Sequence, residues 1–213
     1  MRSRDTQARS SRRIAGRHGQ SLPGIAIALL LVTGSPAPAQ VTAQVTAQRE
    51  ARDGQRDFDF NIGRWRTQLR RLDAPLTGST RWIEYEGTSV VRPLLGGDAN
   101  LVELDVTGKE GRIEGVLLRL YDSRARQWTM HYASRRGGQL TAPLVGEFRD
   151  GRGEFYGHEV INGRMILVRF VIFDITPDSA NFEQSYSDDG GRTWEVNWRA
   201  IDTRVPAAPG SVR

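Results

Sequence analysis

Apolar and polar residues alternate along most of the chain after residue 57, as in β-strands with one buried and one solvent-facing side. Turn signals rich in glycine and aspartate separate these segments, and no long apolar period of 3.6 residues appears. A single helical turn is expected at Asp57–Ile62. The pattern predicts ten strands, at Gly63–Leu72, Arg81–Pro93, Asn100–Thr107, Arg112–Tyr121, Gln127–Ser134, Gln139–Phe148, Gly153–Ile161, Arg164–Ile175, Asn181–Ser187 and Thr193–Ile201.

The turns between these strands are short, so consecutive strands are expected to pair as hairpins. Asn162-Gly163 is the strongest signal, because a two-residue type I′ turn needs positive φ at both positions. In the last strand, the alternation places Trp194 and Trp198 on the same face. A long meander of hairpins closes on itself because closure removes the unpaired edges. We therefore predict an all-β fold, an antiparallel up-and-down β-barrel of about ten strands.

Two local motifs lie near the ends of this domain. Near its start, F-D-F precedes a G-x-W, and near its end Ser187 opens the segment S-D-D-G-G-R-T-W. In the second motif an aspartate caps the turn, glycines adopt positive φ and a tryptophan covers the hairpin. Both motifs are therefore assigned structural roles, which fall to Gly63, Trp65, Asp189, Gly190, Gly191 and Trp194.

These motifs carry a resemblance to known proteins. The G-x-W resembles the opening of lipocalin-type barrels, whose tryptophan plugs the closed end. The second motif resembles the Asp-box hairpin of sialidase-like propellers, although it occurs once here and the chain is too short for such a propeller. Together they resemble a family of exported bacterial proteins of unknown function, related to the calycin (lipocalin-like) barrels, over residues 57–204. The resemblance implies a barrel and no established reaction.

The first 39 residues have the three parts of a secretory signal peptide. Arginines in residues 2–17 precede the apolar run Ile25–Val32, and Ala37-Pro38-Ala39 forms a cleavage signature. The run is far shorter than the ~20 residues of a membrane-spanning helix, so no stable membrane anchor is expected. We expect cleavage after Ala39 and a periplasmic or secreted protein, with the Sec and twin-arginine routes both open.

The positive charge of the chain belongs to this leader. Of the 30 basic and 25 acidic residues, six and one lie in residues 1–39, so the remainder has 24 of each. Nucleic-acid-binding domains need a basic surface, and no nucleic-acid partner is expected. Residues 40–56 are predicted to form a flexible spacer, residues 57–204 the barrel, and residues 205–213 a disordered tail. The chain has no cysteine, so packing alone must hold the domain together.

Polar residues inside the predicted strands are the candidates for a binding site in the barrel. Apolar cavities with a few polar groups suit small molecules, and strand register decides which of these side chains face inward. The candidate cavity residues are Glu84, Glu86, Arg119, His131, His158, Arg169, Glu183, Gln184 and Arg199.

We predict a protein that binds a small apolar or amphipathic molecule. The alternative is an isomerase or hydrolase that uses His131 or His158 with a carboxylate in the cavity, although no known catalytic motif is present. The two histidines lack metal-ligand spacing, so no metal is expected. Nitrobindin-like barrels hold haem through a histidine near the carboxyl end, and this chain has none after His158, so no cofactor is expected.

A third possibility is an outer-membrane barrel, since ten is an allowed strand number. Charges on both faces of the predicted strands argue against it. The sequence leaves the oligomeric state open.

The leader gives a direct prediction. When the chain is expressed in a bacterium with residues 1–39, the protein recovered from the periplasm or medium should begin at Gln40 by amino-terminal sequencing. Ala39→Leu should accumulate as the uncleaved precursor, because cleavage needs a small residue there. Recovery of the wild-type protein with Met1 in the cytoplasmic fraction would contradict the assignment.

Overall fold

A computed structural model describes residues 53–206, and the predicted signal peptide, most of the spacer and the end of the tail lie outside the described residues. A 3-10 turn at Asp59–Asn61 precedes ten strands, and a second such turn, Leu95–Gly97, follows β2. The strands are β1 Gly63–Leu72, β2 Trp82–Leu94, β3 Ala99–Gly108, β4 Gly111–Asp122, β5 Gln127–Ser134, β6 Leu144–Arg149, β7 Arg152–Ile161, β8 Arg164–Phe173, β9 Ser179–Ser187 and β10 Glu195–Arg204.

Every strand pairs antiparallel with the next, and β10 pairs with β1 to close the sheet. The predicted all-β, up-and-down barrel is therefore confirmed. The largest departure from the predicted strands is β6, which begins at Leu144, opposite Met130, instead of at Gln139. Pro143 immediately precedes it and has no N–H to donate to the ladder. Residues 135–143 instead form a long loop between β5 and β6.

The segment 53–62 covers the end of the barrel at which β1 begins. Trp128 Nε1 donates a hydrogen bond to the Gly54 carbonyl at 2.9 Å. The Phe58 ring lies edge-on to Trp128, with 4.9 Å between ring centroids, and 5.0 Å from Phe148. The last four residues of the predicted spacer therefore belong to the folded domain, where they complete its closed end.

Trp65 is fully buried just inside this end. Its Nε1 donates to the Asn61 carbonyl at 2.7 Å, and the Arg204 guanidinium lies over its ring at 4.1 Å. Arg204 also donates to the carbonyls of Ile62, at 3.0 Å, and Phe60. At Gly63 the φ is +126°, and a Cβ there would approach Arg204 to 3.0 Å. The glycine thus makes room for the arginine that ties the end of β10 to the start of β1.

The second motif forms the connection between β9 and β10. The Asp189 carboxylate accepts hydrogen bonds from the Thr193 N–H at 3.0 Å, the Thr193 hydroxyl at 2.7 Å and the Ser187 hydroxyl at 2.8 Å. These bonds, led by the one from the Thr193 N–H, hold the pKa of Asp189 well below its usual range. The loop places Trp194 on the outside of the barrel, 4.7 Å from the Arg169 guanidinium.

The expectation that Trp194 and Trp198 share a face is wrong. The register between β9 and β10 shifts between Val196 and Trp198, so that one extra residue, Asn197, interrupts the alternation. A β-bulge of this kind turns the following side chains to the opposite face. Trp198 consequently lines the barrel interior, whereas Trp194 lies outside it.

Trp65 gives a prediction about stability. Trp65→Ala should lower the free energy of unfolding by about 3–5 kcal/mol, because it removes a fully buried indole and leaves a cavity. Trp82→Ala is the matched control, since Trp82 is only half-buried and lies on the outer face. It should cost clearly less in chemical denaturation of the two variants. Equal losses would show that the closed end does not depend on Trp65.

Candidate ligand cavity

The barrel interior contains a cavity of about 830 Å³. Enclosed sites for small molecules typically have volumes of about 300–1,000 Å³. Loops β1–β2 and β5–β6 line the end opposite Trp65, through Ala74, Pro75, Gly137 and Leu140. The middle of the wall is apolar, and its side chains come from eight strands: Leu69, Leu104, Leu117, Met130, Leu144, Phe170, Phe182 and Ala200.

Arg119 lies at the base of the cavity, next to the closed end, and is 2% exposed. Its Nη1 donates hydrogen bonds to Asn61 Oδ1 at 2.8 Å and to Asn100 Oδ1 at 3.3 Å. The guanidinium carbon lies 4.2 Å from the centroid of the Phe58 ring. Two amides and one aromatic face therefore fix a buried cation in place.

The hydrogen-bonding capacity of this base is only partly used. Arg119 Nε and Asn61 Nδ2 are buried donors without a partner. Among the ion pairs formed within residues 53–206, none includes Arg119. Burial lowers the pKa of Arg119 to about 9, opposed by the charge of Asp202. Arg119 is thus a cation at neutral pH whose N–H groups exceed the acceptors around it.

Asp202 is the acidic residue of the same base and is 5% exposed. Its Oδ1 accepts a hydrogen bond from the Thr67 hydroxyl at 2.6 Å, and Thr67 Oγ1 lies 2.7 Å from the hydroxyl of Ser89. Burial raises the pKa of Asp202 to about 6, although the Thr67 hydrogen bond and the charge of Arg119 oppose the shift. The carboxyl group of Asp202 therefore changes from protonated to ionised near pH 6.

A second set of polar side chains lies nearer the loop end of the cavity, the end that the β1–β2 and β5–β6 loops line. The Tyr186 hydroxyl donates to Glu159 Oε2 at 3.1 Å, and Gln184 Nε2 donates to Asn197 Oδ1 at 3.3 Å. Burial, with the nearby charge of Glu159, raises the pKa of Tyr186 and keeps the phenol protonated. The cavity thus has an apolar middle with polar groups at both ends.

Arg119 and Gln184 are the two sequence-based candidates that line this cavity. The acidic candidates Glu84, Glu86 and Glu183 lie on the outer face, as does Arg199, so their assignment to the interior is corrected. Each directly follows or precedes an inward residue, as Glu84 and Glu86 flank Tyr85, and alternation turns them outward. Arg199 Nε lies 3.2 Å from Glu183 Oε2 in an outer ion pair.

The remaining candidates also lie outside. Arg169 packs under Trp194 on the outer surface. His131 Nδ1 lies 3.3 Å from the Thr141 carbonyl oxygen in the β5–β6 loop, and His158 is exposed. Neither histidine lines the cavity. The alternative prediction, an enzyme that uses a histidine and a carboxylate in the cavity, therefore lacks the histidine that it requires. Within residues 53–206, no group of three histidine or acidic side chains could hold a metal ion.

Sequence reasoning missed most of the polar cavity residues. Asp202 fell just beyond the predicted last strand, which ended at Ile201, whereas β10 extends to Arg204. Thr67 lies two residues after Trp65, and counting by two from this buried tryptophan would have placed it inside. Ser89 pairs with Trp65 across β1 and β2, a register that the sequence did not show.

No protein-family model matches the chain. No curated protein matches it either. Among solved structures, it is similar to the S-type phycobiliprotein lyase CPES from Guillardia theta, with 12% identity over 81% of this chain and 100% of that one, at a TM-score of 0.50. It is also similar to a de novo designed fluorescence-activating β-barrel, with 14% identity over 69% and 95% of the two chains and a TM-score of 0.38. The likeness to the lyase, at 12% identity, supports the barrel fold alone.

No helix within the described part of the chain is long and apolar enough to cross a membrane.

Asp202 gives a prediction about pH. Its pKa is higher in the folded protein than the usual 3.8, so the folded state holds the proton more tightly and ionisation costs stability. The free energy of unfolding of the wild type, minus that of Asp202→Asn, should fall by about 2–3 kcal/mol as the pH rises from about 4 to 7. Denaturation curves at several pH values measure it. A difference that does not change with pH would contradict the shift.

Proposed function

We propose that this chain is an exported binding protein that holds a small amphipathic molecule inside its barrel. The observation that carries the proposal is the 830 Å³ cavity, with an apolar middle between two polar ends. A barrel whose interior serves only stability is filled by its own side chains. The space left here is large enough for a ligand of ordinary metabolite size.

The apolar wall supplies the driving force for binding. Leu69, Leu117 and Phe182 are among the apolar side chains that line the middle of the cavity. A ligand that buries about 300 Å² of apolar surface there gains on the order of 7 kcal/mol before the cost of association is subtracted. The ends supply orientation, because polar groups on the ligand must find partners once they leave water.

The proposed location outside the cytoplasm depends on residues 1–39. Their arginines, short apolar run and Ala37-Pro38-Ala39 sequence support export. The remainder of the chain has equal numbers of acidic and basic residues. Such a balanced charge suits a carrier of small molecules better than a protein that binds a polyanion.

Two neighbouring leucines of β4 test the cavity as the binding site. Leu117 lines it, and Leu118, the next residue, lies on the opposite face of the strand. The neutral fluorophore N-phenyl-1-naphthylamine should become brighter with the wild-type protein, since it enters an apolar environment. Leu117→Trp should weaken its binding about tenfold or more by filling the cavity, whereas Leu118→Trp should leave binding within about twofold of the wild type.

Two different results would contradict the proposal. No fluorescence increase with folded wild-type protein would refute binding of an apolar molecule in the cavity. Equal weakening by both substitutions would place the probe elsewhere on the protein.

A further inference from the structure

We propose that the ligand is an amphipathic monocarboxylic acid whose carboxylate binds Arg119 and Asn61 at the base of the cavity, with its apolar chain directed toward the loop end. This rests on the proposed function and specifies the chemical class of the ligand and its orientation.

The unused donors identify the missing group. Arg119 Nε and Asn61 Nδ2 are buried N–H donors without acceptors, and both residues line the cavity. A buried donor left without a partner is costly, and a ligand that supplies acceptors removes this cost. A carboxylate offers two oxygens in the planar arrangement that matches the N–H groups of a guanidinium.

The positive charge of Arg119 also favours an anionic headgroup. Arg119 is 2% exposed and takes part in none of the ion pairs of residues 53–206. An anionic headgroup provides the contacting counter-charge that the barrel does not supply, whereas an ammonium headgroup would be repelled. The acceptor oxygens of Asn61 and Asn100 are already used by Arg119 Nη1.

Arg119 is also fixed before any ligand arrives. The Phe58 ring lies 4.2 Å from the guanidinium carbon, and the two asparagine amides hold Nη1. Holding a flexible side chain in place in advance removes part of the entropic cost of binding. This arrangement at the base of a cavity is the kind of support expected of a recognition group.

Asp202 makes the binding depend on pH. It faces Thr67 on β1 and Ala180 on β9, and Arg119 on β4 is the charged group whose field reaches it. A carboxylate entering this base disfavours the ionised form of Asp202, so binding is coupled to uptake of a proton. Affinity for the acid should therefore rise as the pH falls from about 8 to 6.

Three ligands with the same apolar chain test the headgroup: decanoic acid, 1-decanol and decylamine. Isothermal titration calorimetry of the wild-type protein at pH 6 should give an affinity for decanoic acid about tenfold or more above that for 1-decanol, with decylamine the weakest. Equal affinities for the acid and the alcohol would overturn the headgroup assignment and leave the proposed function intact. Failure of all three to bind would count against the proposed function itself.

Two substitutions locate the headgroup. Arg119→Met should lower the affinity for decanoic acid about tenfold or more and leave that for 1-decanol within about twofold. Asp202→Asn keeps the size of the side chain and an acceptor for Thr67. It should raise the affinity for decanoic acid at pH 8 several-fold and abolish the rise toward pH 6.

The variants remain informative even if one of them fails to fold. Should Arg119→Met be unfolded by circular dichroism, Asp202→Asn and the acid-to-alcohol ratio of the wild type decide the matter. Equal losses for the acid and the alcohol in folded Arg119→Met would overturn the inference. An unchanged pH dependence in Asp202→Asn would refute the coupling to Asp202.

Discussion

The hydrogen bonds between β1 and β10 close the sheet, and the rest of the domain depends on this closure. With the seam closed, each of the ten strands in residues 53–206 has a paired strand on both sides, and alternate residues of these strands are directed into one interior. Arg204 strengthens the seam at the entry of the chain, by covering Trp65 and donating hydrogen bonds to the carbonyls of Phe60 and Ile62. Because the chain has no cysteine, this pairing and packing must provide the stability that disulfides provide in some other small domains.

Closure also determines what the interior can contain. Polar side chains that face inward lose water and must find partners within the barrel. Thr67, Ser89 and Asp202 satisfy one another through a chain of hydrogen bonds. Arg119 is held differently, since its Nη1 is satisfied and its Nε is not. Leaving a buried donor without an acceptor costs about 1–3 kcal/mol. A bound ligand that supplies the acceptor would remove this cost.

The sequence was sufficient for the fold because the signals for it are local. Asn162-Gly163 and the other turns mark where strands end, and the alternation marks the strands themselves. It was harder to predict which side chains face inward, because a register error of one residue exchanges the inward and outward faces of a strand. Glu84 and Glu86 show the error in β2, where the neighbouring Tyr85 is the inward residue.

The cavity itself is a property of pairing between distant strands. Asp202 and Thr67 are far apart in the chain and meet only through the β1–β10 register. The bulge at Asn197 inverts the faces of β10, and no local residue pattern marked it. Arg119 was identifiable as a polar residue within an apolar strand. Its amide partners were not, because Asn61 lies in the segment that closes the barrel and Asn100 meets Arg119 through the β3–β4 register.

A crystal structure of the protein with decanoate, grown near pH 6, would show where the ligand and its headgroup bind. We expect electron density for the ligand inside the barrel, with a carboxylate oxygen within hydrogen-bond distance of Arg119 Nε and the alkyl chain along Leu69, Leu117 and Phe182. A carboxylate at the loop end, or a ligand bound outside the barrel, would contradict this expectation.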